Sequence, residues 1–138
     1  MSAINFGNYA VITAVEHRFK QNPEWYWMVK PITSGDELKM EKFMYQGRSI
    51  DNITVTHEII HREIAMTFGG TNIPLTKEEN DEIVLVTNKD GEIIPILQEN
   101  ATVQEIEAVL LKMPNEMVME IWEAVGEANP TWGPKKKK

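Results

Sequence analysis

The sequence predicts an α+β fold: an N-terminal β-hairpin, then a mostly helical body that ends in a C-terminal αα-hairpin. Three observations lead there. Aromatic and β-branched residues that alternate or run together are concentrated in the first 32 residues. Ser/Thr-x-x-Glu signatures follow at Ser34–Glu37, Thr76–Glu79 and Thr102–Glu105, the pattern in which a hydroxyl and a carboxylate satisfy two orphan N–H groups at a helix start. Pro114 separates two stretches with apolar residues at helical spacing, a connection short enough to fold one helix against the other.

Taken in order, Tyr9, Val11, Thr13 and Val15 alternate as a strand does, and Trp25 to Ile32 is a second, more apolar run. Gln21-Asn22-Pro23 between them is a turn signal, so the two pair as a hairpin. The Ser34–Glu37 box then opens a helix from about Gly35 to Gln46, with Met40, Phe43 and Met44 on one face and Gly47 as its stop. A second helix spans Thr56 to Phe68, capped by Thr54 or Thr56 and ended by Gly69-Gly70. Its stripe of Ile53, His57, Ile60, His61, Ile64 and Phe68 puts both histidines on the apolar face. Residues 76–97 allow two readings: Thr76–Glu79 is a capping box, while Ile83 to Val86 and Ile93 to Leu97 flank Asn88-Lys89-Asp90-Gly91 like a hairpin; the preferred one is a short helix, a turn and a strand. The third box opens a helix with Val103, Ile106, Val109, Leu110 and Met113 inward, and Pro114 starts a last helix that turns Met117, Ile121, Ala124, Val125 and Ala128 to one side. Residues 1–128 thus make one α+β domain, and 129–138 a flexible tail rich in Pro, Trp and Lys.

The length of 138 residues suits one domain, and 42% hydrophobic with 25% charged residues is a globular composition. Without cysteine there are no disulfides, thiolate nucleophiles or iron–sulfur clusters. The N-terminus shows no secretory signal and no apolar run reaches bilayer length, so the protein is expected in a cytoplasm, away from membranes. Charge is uneven. Residues 1–77 hold 8 acidic and 8 basic side chains, residues 78–128 hold 13 acidic and 2 basic, and four lysines end the chain. An acidic half opposes phosphate binding, so nucleic acid is not an expected partner.

His57-Glu58-Ile59-Ile60-His61 has the HExxH spacing, which on a helix sets two imidazoles one turn apart as zinc ligands beside a general base. His57, Glu58 and His61 would then serve a small zinc-dependent hydrolase. Against this, charged Arg62 and Glu63 follow the second histidine where zinc peptidases carry an uncharged and then a hydrophobic residue. No histidine lies downstream, and the third ligand would have to be an acidic residue such as Glu79 or Glu82. The bland alternative, two histidines bordering a core face, is preferred. No phosphate loop, GxSxG or dinucleotide fingerprint occurs, and the carboxylates of residues 78–82 read as a solvated face. No enzyme and no cofactor are expected.

The eight methionines and four tryptophans point to partners instead, since methionine surfaces adapt to differently shaped apolar ligands and exposed aromatics anchor contacts. Met117, Met119, Trp122, Pro130 and Trp132 are the expected partner-binding residues, with Trp122 and Trp132 as exposed anchors. The run Lys135 to Lys138 is a frayed charge run or a basic localisation signal. A third reading is the trace of a slippery A-rich codon tract, which would make this chain the shorter of two products.

The stretch Trp27-Met28-Val29-Lys30-Pro31-Ile32-Thr33-Ser34-Gly35-Asp36-Glu37-Leu38 leading into Glu41-Lys42-Phe43, the later Met113-Pro114, Glu120-Ile121-Trp122-Glu123-Ala124 and Asn129-Pro130-Thr131-Trp132 together resemble the tail assembly chaperones of long-tailed phages. The resemblance covers most of the chain. It implies a non-catalytic protein of the host cytoplasm, made as a short form plus a frameshifted long form. Such a protein coats the tape-measure protein and releases it as tail-tube subunits polymerise. The implied partners are the tape-measure protein, the tail-tube protein and the longer form; a structural or adaptor protein of the particle is the alternative. The HExxH element departs from that family, which needs no metal.

Overall fold

The structure is a computed structural model and describes residues 14–45 and 56–134. β1 (Val15–Phe19) and β2 (Asn22–Val29) form the expected N-terminal hairpin, turning at Lys20-Gln21. Alternation sends Val15, His17 and Phe19 to the side of Trp27 and Val29, and Glu16 and Arg18 to the outer face with Tyr26 and Met28. Arg18 lies over the Tyr26 ring at 5.6 Å on that outer face. Tyr9, Val11 and Thr13 lie outside the described residues.

α1 (Ser34–Tyr45) begins one residue earlier than the Ser34–Glu37 signature implies. Its capping box is Thr33 with Asp36: the Asp36 N–H donates to Thr33 Oγ1 at 3.2 Å, and the Thr33 N–H donates to Asp36 Oδ2 at 2.9 Å. Glu37 is thereby free to accept from Thr131 Oγ1 at 3.0 Å. Its proposed stop, Gly47, lies outside the described residues, as do Ile53 and Thr54. α2 (His57–Met66) is capped by Thr56. It ends where Thr67 turns its hydroxyl back to the Glu63 and Ile64 carbonyls.

Phe68, Gly69 and Gly70 correct the expected helix end. They belong to β3 (Phe68–Thr71), which pairs antiparallel with β2 and completes a sheet in the order β1-β2-β3. A Cβ on Gly69 would come within 3.2 Å of Met28 Cβ and 3.3 Å of its carbonyl oxygen, so the glycine permits close strand pairing at the irregular register.

The second correction is the expected short helix after Thr76. β4 (Thr76–Glu79) and β5 (Glu82–Leu85) form an antiparallel hairpin. Asn80 and Asp81 both have positive φ, 53° and 64°, the twist that a two-residue turn needs to match the strands. The Asn88–Gly91 turn does occur, and Ile93 bridges Thr87 across it.

α3 (Val103–Lys112) carries the complete Thr102–Glu105 box, with the Glu105 N–H donating to Thr102 Oγ1 and the Thr102 N–H to Glu105 Oε1. After Met113 and Pro114, α4 (Asn115–Ala128) forms the C-terminal helix pair with it. Pro114 is the N-cap rather than the first helical residue, and Gly126 lies within the helix. Both helices pack on α2, and α4 also packs on β1 and β2.

The core lies between the sheet and the helices: Phe19, Trp27, Val29 and Phe68 meet Ile60 and Ile64 of α2, Ile106 and Leu110 of α3, and Ile121 and Val125 of α4. Each such side chain stabilises the fold by about 1.5–3 kcal/mol relative to exposure. Trp27 stacks edge-on against Phe68 at 4.9 Å; its Nε1 is buried without a partner among the described residues, a cost set against the burial of the whole ring. Among the described residues no helix is long and apolar enough to cross a membrane.

Candidate interaction surface

The HExxH element sits on the first turns of α2, and the sequence stripe misplaces it. The inward residues are Ile59, Ile60, Glu63 and Ile64, while His57 and Glu58 are exposed and His61 is half-buried. The two imidazoles stand 6.2 Å apart between centroids. Burial is the main cause that lowers the His61 pKa from its usual value; His57 adds to this and Glu107 opposes it. No group of three or more His, Asp or Glu side chains placed to hold a metal occurs among the described residues.

The two charged residues that follow the motif have structural partners. Arg62 Nε donates to Glu107 Oε2 at 3.2 Å while its guanidinium lies 4.3 Å over the Phe43 ring, so one side chain ties α2 to both α3 and α1. Glu63 is buried, and its Oε1 accepts from Trp122 Nε1 at 2.9 Å and from the Gly133 N–H at 2.8 Å. Burial raises its pKa, against the pull of these two donors.

That junction changes the status of the expected partner-binding residues. Trp132 is only 6% exposed and part of the core, so it is not an exposed anchor. Trp122 is half-buried with its indole N–H committed to Glu63. Residues 129–134, expected as part of a flexible tail, are bound to the body. Asn129 accepts from the Ile32 N–H at 2.8 Å and donates to the Lys30 carbonyl at 3.1 Å. Thr131 reaches Glu37, and Gly133 reaches Glu63. The physical reason is that a proline and glycine segment stops a helix without forfeiting packing when its aromatic side chain has a core to enter. Lys135 to Lys138 lie outside the described residues.

Met117 and Met119 are half-buried against the core. Met117 lines a cleft of about 270 Å³ with Phe19, Trp25 and Pro114. Pro130 is exposed at the opposite end of α4, beside Ile32 and Thr131. The five residues therefore do not converge on one surface. Glu120 shows why this end of α4 is anchored: its Oε1 accepts from His17 Nε2 at 2.9 Å and from the Lys20 N–H at 3.1 Å.

The surface that the sequence reading missed is the β4–β5 arm. Cross-strand partners share a face, so Ile83 stands beside Glu78 and Leu85 beside Thr76, and Ile93 stands beside Thr87 where the same face continues. Ile83 is 79% exposed, Ile93 54% and Leu85 48%. The opposite face carries Lys77, paired to Glu79 at 3.4 Å, and Glu82 across from Glu79. Three apolar side chains thus line one face of an arm whose residues 76–93 hold six carboxylates and two lysines. Leu111 of α3, 75% exposed, is a further apolar side chain in the same acidic half. The signal available in the sequence was the apolar run Ile83-Val84-Leu85-Val86 after Asn80-Asp81, a pair that tolerates positive φ.

A larger groove, about 880 Å³, runs between the outer face of the main sheet at Met28, Gly69 and Gly70 and the segment around Pro95 and Glu99. Asn72 at its wall is already engaged, accepting from the Tyr26 N–H and donating to the Glu24 carbonyl. Compared with family models, with curated proteins and with solved structures, the chain finds no match.

Proposed function

We propose that this chain is a non-catalytic phage tail assembly chaperone, which binds the tape-measure protein in the host cytoplasm and helps recruit tail-tube subunits, together with a longer, frameshifted form of itself. The observation that carries this reading is the display of Ile83, Leu85, Ile93 and Leu111 in solvent by a body whose core closes without them, within the half of the chain that holds 13 acidic and 2 basic side chains. An apolar face left in water, as Ile83, Leu85 and Ile93 form on the arm, supports a contact site for a partner. Carboxylates around them keep the protein and its complex soluble by mutual repulsion. The resemblance to the chaperone family supplies the partner's identity, and the lysine codons supply a genetic test.

Expression of the gene with its native downstream DNA is expected to give a minor product running past Lys138 in another frame. Co-expression with the tape-measure protein is expected to keep that protein in the soluble fraction. Mass spectrometry of finished particles completes the test: a chaperone is absent, and a fixed, abundant copy number would instead identify a structural or adaptor protein.

A further inference from the structure

We infer that the Ile83–Leu85–Ile93 face of the β4–β5 arm is a docking strip for a cationic amphipathic helix of a partner protein. The inference rests on the reading of this arm as a partner surface and adds the chemistry of what it receives. Its first support is geometric. Ile83, Leu85 and Thr87 alternate onto one face, with Ile93 beside Thr87, so the strip is about 13 Å long at the rise of a strand. Apolar residues at i, i+4 and i+7 of a helix span about 10 Å, which places three anchors along it.

The second support is charge. Glu78 stands on the strip itself, across from Ile83. Asp81 lies in the turn at one end, and Asp90 lies with Lys89 in the turn at the other, within an arm whose residues 76–93 hold six carboxylates and two lysines. Lys77 is on the opposite face and paired with Glu79. An apolar stripe bordered by lysine or arginine therefore meets complementary potential, whereas a second copy of the same strip would bring carboxylates against carboxylates.

The test uses the full chain and three synthetic helical peptides: leucine–lysine with its leucines on one face, leucine–glutamate of the same pattern, and serine–lysine. Titration calorimetry is expected to show binding of the leucine–lysine peptide alone, weakening as salt is raised. The double variant Ile83→Ser/Leu85→Ser should lose about tenfold in affinity, and Glu78→Lys a similar amount, with unchanged circular dichroism. Equal binding of the leucine–glutamate peptide, or full affinity in a folded Ile83→Ser/Leu85→Ser variant, overturns the strip. The two readings fail separately. A tape-measure protein kept soluble equally well by the double variant refutes the strip and leaves the chaperone. Strip-dependent peptide binding by a parent protein that fails to keep the tape-measure protein soluble refutes the chaperone and leaves the strip.

Discussion

Glu63 shows how much can depend on one side chain. Its carboxylate receives both the Trp122 indole N–H and the Gly133 backbone N–H inside the protein. Glu63→Ala leaves two donors without an acceptor and is expected to cost about 2–3 kcal/mol of unfolding free energy in urea titration. Glu63→Gln keeps an acceptor and no longer buries a charge, so it should stay within about 1 kcal/mol of the parent. The pH dependence follows from the direction of each shift. Glu63 is raised above its ordinary 4.5, so just above that pH the native state holds more proton than the unfolded chain, and this group makes stability fall as pH rises. His61 is lowered from 6.5, so below that pH the unfolded chain holds more proton and stability falls on acidification. Glu63→Gln should remove the first slope and His61→Gln the second; slopes that survive both substitutions would show that other groups govern them. None of this was legible in the sequence, where Glu63 was only a charge in the wrong place for a zinc peptidase. A buried carboxylate is identified by what surrounds it, and its partners lie 59 and 70 residues away.

Elements were legible where local chemistry decides and illegible where it permits two outcomes. The Thr102–Glu105 box formed as written because an amphipathic stretch follows it, ending with Ile106 and Leu110 in the core. Thr76–Glu79 has the same letters, but Asn80 and Asp81 take positive φ one residue later and the chain doubles back as a hairpin. At Ser34 the helix forms as its signature predicts, with the cap one residue earlier, because Thr33 and Asp36 form an equivalent pair. Gly69-Gly70 read as a helix stop, yet long-range pairing with β2 set their role. The segment after α4 departs furthest from its sequence signals, and it also gives the sharpest test at this scale. Gly133 has φ of 77°, and a Cβ there would lie 2.5 Å from the Gly126 backbone. Gly133→Ala is expected to destabilise the fold by about 2 kcal/mol or more. It should also shift the emission of Trp132 to the red as residues 129–134 leave the body; a variant of parental stability and emission would show that this close approach does not hold the segment. The cap predicts a smaller effect: Thr102→Ala should cost about 1 kcal/mol.

For the whole molecule, the distinction that matters is between a body that buries its apolar residues and an arm that does not. The sequence showed the charge division between the halves but not this one, because Ile83 and Ile121 look alike until the fold places one at 79% and the other at 0% exposure. An isolated two-stranded hairpin is marginal in water, so the arm owes its order to the turn at Asn80-Asp81 and to the junction at its base. There the Leu75 N–H donates to Ile94, the Ile94 N–H to Val86 and the Val86 N–H to Leu75. A closed ring of three backbone hydrogen bonds fixes the base without holding the tip. Local opening at the tip then exposes little further apolar surface, whereas opening the body exposes Trp27, Ile64 and Ile121 together. Ile83→Ser is accordingly expected to change the unfolding free energy by no more than about 0.5 kcal/mol, while Ile121→Ala should lose about 2–5 kcal/mol. Hydrogen exchange gives the same contrast without mutation: amides of residues 76–85 should exchange through local opening far below the global free energy, and those of β2 and α4 near it. Protection of the arm equal to that of β2 would mean that the arm is part of the cooperative unit, and an arm held that firmly would have to draw its stability from a partner or from the body itself rather than stand ready for a helix to dock.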